Sequence, residues 1–119
     1  MSCECAVLPE IVRVVDHQTI VDQLRLIEPG NWVRLCECPV CLQLWCVDEW
    51  DKLQVQLAIK LSDRDGWQGF DPTPLRKRFL LQARGGTVDE KCIWSGCDGR
   101  RVRGVVYCLD HLYATGARD

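Results

Sequence analysis

No apolar run in this chain approaches the about 20 residues that cross a membrane. The opening residues Met1-Ser2-Cys3-Glu4-Cys5 have neither the basic start nor the apolar stretch of an export signal. These absences predict a cytoplasmic protein with no membrane partner. No internal repeat or low-complexity segment breaks the 119 residues, a length that fits a single domain. Catalytic motifs are missing too. Neither of the two histidines begins a His-x-Glu pair, and proline follows Cys38 rather than preceding it, so the pattern of the zinc-dependent deaminases fails. There is no His-Glu-x-x-His helix and no phosphate-cradling glycine loop. His17 beside Asp16 reads as a surface residue, and the carboxylates of Asp63 and Asp65 as solvated charge in a turn. The expectation is a non-enzymatic chain with no catalytic residue.

What the chain has in excess is cysteine. Nine thiols accompany a hydrophobic content of 47%, which argues against disorder. An odd cysteine count without an export signal fits a reducing compartment, where clustered thiols bind metal in preference to forming disulfides. The predicted architecture is α+β, a small antiparallel sheet with two or three helices stapled by zinc knuckles. Ile20, Val21, Leu24 and Ile27 recur at helical spacing after Thr19, and Pro29-Gly30 would end that helix. Trp32 to Cys36 and Leu42 to Val47 read as a hairpin, about residues 32–47, with Cys38-Pro39-Val40-Cys41 at its tip. From Gln54 to Leu61 apolar and polar residues alternate, predicting a half-buried strand with one wet face. Asp71-Pro72-Thr73-Pro74 opens a helix that Gly85-Gly86 closes.

The last segment carries the sharpest pattern. Cys92 and Cys97 enclose a four-residue knuckle, and Cys108 and His111 follow ten residues later with a two-residue gap. Zinc takes four thiolate or imidazole ligands in a tetrahedron, and two local pairs supply them with little chain to close. Asp98-Gly99 would turn a hairpin, with Val102, Val105 and Val106 as strand residues. A helix starting at Cys108 puts Cys108 and His111 on one face. Knuckle, hairpin and helix-borne ligands over about residues 92–116 resemble a treble-clef zinc finger. The resemblance implies Cys92 and Cys97 as knuckle ligands and Cys108 and His111 as helix ligands of a closed site.

Cys38 and Cys41 form a second knuckle in need of partners. The preferred completion is Cys3 and Cys5, folding back onto the hairpin. Cys36 with Cys46, or His17, are alternatives, as is a cross-fold set joining Cys38 and Cys41 to Cys108 and His111. Cys36 and Cys46 otherwise read as buried free thiols. One zinc ion is expected, or two if the front cysteines close a site.

The partner surface is read from charge and tryptophan. Residues 1–71 hold 12 acidic and 6 basic side chains and residues 72–119 hold 5 and 9, so the halves carry −6 and +4. Five tryptophans are many for so small a core. Trp50 among Asp48, Glu49 and Asp51, together with Trp67 after Asp65-Gly66, predicts a hot spot for a basic protein. Small size, acidity and a cysteine-rich, non-catalytic build are similar to bacterial immunity proteins, a likeness that implies a toxin as partner. The alternative partner is nucleic acid, contacted by Arg100, Arg101 and Arg103.

Overall fold

A computed structural model describes residues 3–52 and 54–119. The chain divides into two compact units, Met1–Asp71 and Pro72–Asp119. Their boundary coincides with the change in charge sign. Together they make an α+β protein with one five-stranded antiparallel sheet and one two-stranded sheet.

The first unit is built on a hairpin of β3 (Val33–Glu37) and β4 (Leu44–Asp48), in register from Val33 opposite Asp48 to Glu37 opposite Leu44. Around it lie β1 (Ile11–Arg13), β2 (Arg25–Pro29) and β5 (Leu57–Leu61), in the spatial order β1-β5-β4-β3-β2. Both faces of this sheet are covered. Cys36, Trp45, Val47 and Ala58 pack with Cys5, Val12 and Val14 of the N-terminal segment on one side. Leu35, Cys46 and Leu61 pack with Trp67 on the other.

That two-sided coverage overturns the expected wet face at 54–61. Leu57, Ile59 and Leu61 share a face as predicted, but Ala58 opposite them is fully buried. The strand also starts only at Leu57, because Gln54 bridges back to Asp51 and the Gln56 amide donates to the Asp48 carbonyl at 2.7 Å.

The helix expected over 19–27 shrinks to α1 (Gln18–Asp22), and Thr19 lies inside it rather than capping it. Residues Arg25–Pro29 instead pair with β3 as an edge strand, where a proline removes no needed hydrogen bond. A helical apolar pattern lost here to sheet pairing available only from a strand later in the chain. The connection to β3 is the two-residue loop Asn31-Trp32, closed by the Gly30 N–H donating to the Val33 carbonyl at 2.8 Å. Its second residue, Trp32, holds φ at 63°, a left-handed conformation that suits glycine and costs a bulky residue about 1–2 kcal/mol.

In the second unit, α2 (Thr73–Arg84) carries Pro74 in its first turn and ends at Gly85 with φ 89°. The Gly86 N–H donates to the Leu81 carbonyl and the Gly85 N–H to that of Gln82, the double bond of a Schellman cap. β6 (Thr87–Lys91) pairs with β7 (Arg100–Val102), and α3 (Leu109–Ala114) follows. Leu80, Val102 and Leu112 form the small core. The hairpin expected to turn at Asp98-Gly99 differs: β6 and β7 flank the cysteine knuckle, and Val105 and Val106 lie in the next turn. Among the described residues no helix is long and apolar enough to cross a membrane.

A methyl group on Gly30 would sit 2.6 Å from the Trp67 ring and 3.1 Å from Val33. Gly30→Ala is therefore expected to destabilise the protein by about 1–3 kcal/mol through overpacking, measured as a lower urea midpoint at unchanged slope.

Candidate metal centres

The front knuckle forms where β3 runs out of partner. The Cys38 N–H donates to the Gln43 carbonyl at 2.9 Å and the Leu42 N–H to the Cys38 carbonyl at 3.0 Å. Leu42 takes φ 66° to complete the turn. Cys3 and Cys5 arrive from the N-terminal segment, which β1 anchors to β5 and the Lys60 ammonium ties down through the Leu8 carbonyl at 2.6 Å. The four sulfurs of Cys3, Cys5, Cys38 and Cys41 lie within 4.8 Å of one another. Cys5 and Cys38 are buried, Cys3 is half-buried and Cys41 is exposed. This is the preferred completion; Cys36 and Cys46 are buried in the sheet outside this group, and His17 is left out of it as well.

Four thiols this close share protons unequally. Burial pushes Cys5 up to about 12, against the opposing pull of the Trp45 indole N–H. At Cys38 burial acts the same way, but the backbone N–H groups of Cys41 and Val40 and the neighbouring thiols outweigh it and bring the group down to about 7. The Trp45 side chain is 2% exposed, and its N–H makes no conventional hydrogen bond. It approaches the Cys5 sulfur closely enough to favour the thiolate. An indole N–H facing a neutral thiol is a poor match; facing a thiolate held by a cation it is satisfied. The donor set fits a soft metal ion.

The second set is assembled by the loop between β6 and β7 and the start of α3. The Cys92 N–H donates to the Gly99 carbonyl at 2.8 Å and the Cys97 N–H to the Trp94 carbonyl at 3.0 Å, with Gly96 at φ 79°. The Gly99 N–H points at the Cys97 sulfur, 3.4 Å away. Cys108 is the N-cap of α3 and His111 lies in its first turn. His111 Nδ1 is 3.4 Å from the Cys92 sulfur and 3.2 Å from that of Cys108, and the Cys97 and Cys108 sulfurs are 3.8 Å apart. A tetrahedron with metal–sulfur bonds of about 2.3 Å and metal–nitrogen bonds of about 2.0 Å has edges of about 3.8 and 3.5 Å. These three separations already lie close to those edges, and all four donors are within 4.8 Å of one another.

Two further features shape this set. A methyl group on Gly99 would come within 2.8 Å of the Cys108 Cβ and 3.3 Å of its sulfur, so glycine is required there. Trp94 stacks on the His111 ring, centroids 4.7 Å apart and planes 14° from parallel, which orients the imidazole. Burial opposes ionisation of Cys92, but the backbone N–H groups of Trp94 and Cys108 and the side chains of His111 and Cys108 lower it to about 6. Trp94 is a supporting residue that the cysteine pattern did not reveal; its place inside the knuckle was the available signal. Each knuckle finds a complete set of partners within its own unit.

The expected partner surfaces divide. Trp50 is 72% exposed. The Asp48 carboxylate accepts the Leu57 N–H at 3.1 Å, Glu49 pairs with Arg34 at 3.4 Å, and Asp51 bridges to Gln54. Trp67, expected beside Trp50 at the surface, is 5% exposed and belongs to the core, with its indole N–H donating to Glu28. That hydrogen bond, with the help of Arg64, holds the Glu28 carboxyl below its usual range. Trp32 takes its place as the exposed indole, at 74%. The three arginines are engaged in their own unit: Arg100 with Asp89 at 3.5 Å, Arg101 with Glu90 at 3.1 Å, and Arg103 with the Gly85 carbonyl at 3.3 Å.

Comparison with known protein families, with curated proteins and with solved structures finds no match to this chain. Both donor sets can hold a metal ion.

Gly99→Ala should displace Cys108 and weaken metal binding at the second set by about 10-fold or more. Competition with a chromogenic chelator would show one weakened site, and the front set would keep its affinity.

Proposed function

We propose that this chain is a zinc-binding module, with one ion at Cys3, Cys5, Cys38 and Cys41 and one at Cys92, Cys97, Cys108 and His111, and that it works by binding a protein. The observation that carries the reading is the presence of two complete four-donor sets of soft ligands. Four protein ligands fill a tetrahedral zinc, leaving no position for water or substrate, so the ions act as staples. When bound, zinc supplies coordination energy that holds each knuckle to its distant partners. At the second site the sequence of knuckle, short turn and helix-borne ligands supports the treble-clef likeness.

Protein binding in preference to catalysis is supported by closed coordination and by large indoles left at the surface. An immunity protein that occupies a cognate toxin is the specific form of this reading, and a basic toxin cleft would suit a unit of net charge −6. A nucleic-acid track receives less support, because Arg100 and Arg101 are ion-paired and Arg103 is hydrogen-bonded.

Elemental analysis of protein purified without added metal tests the staples. Wild type is expected to carry two zinc ions per chain, with one remaining in Cys97→Ala and one in Cys38→Ala. A wild type without zinc would sink the reading, and iron in place of zinc would change the ion assigned to the thiolate sets.

A further inference from the structure

We infer that the end of the β3–β4 hairpin remote from the front cysteines is the binding face, and that it receives the arginine or lysine side chains of a basic protein on Trp32 and Trp50. This deepens the protein-binding half of the proposed function and rests on it. Trp32 and Trp50 are 74% and 72% exposed, and no other tryptophan of this unit is exposed. They leave the same end of the ladder: β3 and β4 pair last at Val33 opposite Asp48, and the Glu49 N–H donates to the Trp32 carbonyl at 2.9 Å. Trp50 is the next residue after Glu49.

Among the described residues two non-glycines take a left-handed φ, Leu42 in the cysteine turn and Trp32 at this end. At φ 63° Trp32 occupies the second position of a two-residue hairpin loop, where glycine or asparagine is the relaxed choice. A bulky indole in that position, turned to water, contributes nothing to the core. Strain of this kind concentrates where a side chain is presented for recognition. The opposite end of the same hairpin carries Cys38 and Cys41, so a metal there would stiffen the platform that displays the two rings.

The chemistry of the occupant follows from ring and charge. Indole is the best aromatic acceptor for a cation over its face, at up to about 6 Å from the centroid. Asp48, Glu49 and Asp51 flank Trp50 in the sequence, with Asp48 accepting the Leu57 N–H and Glu49 paired with Arg34, and the unit as a whole is −6. An acidic surround attracts a basic chain and repels a phosphate backbone. Arginine, planar and weakly hydrated, suits such a face better than lysine.

The test titrates the zinc-loaded protein with a deca-arginine peptide at physiological salt, following the indole N–H resonances and calorimetric affinity. The variants are Trp32→Gly and Trp50→Ser, which leave the net charge unchanged. The expected result is binding that shifts the Trp32 and Trp50 resonances. Each variant should lose about 10-fold or more in affinity. Trp32→Gly should also raise the thermal midpoint, since glycine relaxes the loop. Equal affinity in wild type and both variants would overturn the proposal by reducing the binding to diffuse charge attraction. Tighter binding of mixed-sequence single-stranded RNA at the same rings would overturn it in favour of nucleic acid. A wild-type dimer that dissociates in the double variant would overturn it in favour of a second copy of the chain. Zinc measured on the same samples separates the two readings: full zinc with no peptide binding removes the face alone, and absent zinc removes the scaffold.

Discussion

Four soft donors drawn within 4.8 Å of one another, twice over, are the constraint on which both units depend. Thiols at that separation compete for protons, and only a cation lets all of them ionise together. The units span 71 and 48 residues, sizes at which a hydrophobic core alone gives marginal stability. The second has only Leu80, Val102 and Leu112 at the buried centre of its hydrophobic cluster, with partly buried residues such as Leu81, Tyr107 and Tyr113 packed against them. Its loop between β6 and β7 is held by the bonds that Cys92, Cys97 and Gly99 make around the donor set, by the Ile93 N–H donating to the Val106 carbonyl and by the stack of Trp94 on His111.

The first unit uses its donors differently. Cys5 and Cys38 are part of the sheet's own core, under Trp45 and beside Val12 and Val14. A metal bound there would be coupled to the packing that covers one face of the five strands. The N-terminal segment is both the lid of that core and the source of two ligands. The two ends of the β3–β4 hairpin then have opposite characters: cysteines drawn inward at one end, and tryptophans held outward at the other, one of them against its backbone preference.

Charge separates the units as cleanly as contacts do, −6 against +4. In the basic unit the cations are largely spent locally, Arg100 on Asp89, Arg101 on Glu90 and Lys77 on Asp110. A surplus of arginine is a weak guide to nucleic-acid binding when neighbouring strands supply the carboxylates. In the acidic unit exposed Trp50 has Asp48, Glu49 and Asp51 as sequence neighbours, and a basic partner is proposed from that pairing.

Local chemistry was legible in the amino-acid sequence by itself. Pro74 and Gly85-Gly86 bracket α2 because proline opens a helix and two left-handed glycines close one. The spacing of Cys92, Cys97, Cys108 and His111 brought that donor set together because the pairs are short and the helix rise is fixed. Tertiary structure decided whatever depended on a distant strand. Arg25–Pro29 became a sheet edge because β3 offered hydrogen bonds that outweighed a helical pattern. Ala58 was buried because the N-terminal segment covers its face. Trp67 went to the core and Trp32 to the surface, since the sheet has a second core to fill beneath one and only a two-residue loop to hold the other. Cys3 and Cys5 could be named as partners of Cys38 and Cys41, but choosing them over Cys36, Cys46 and His17 required the pairing of β1 with β5, a contact between residues more than forty positions apart.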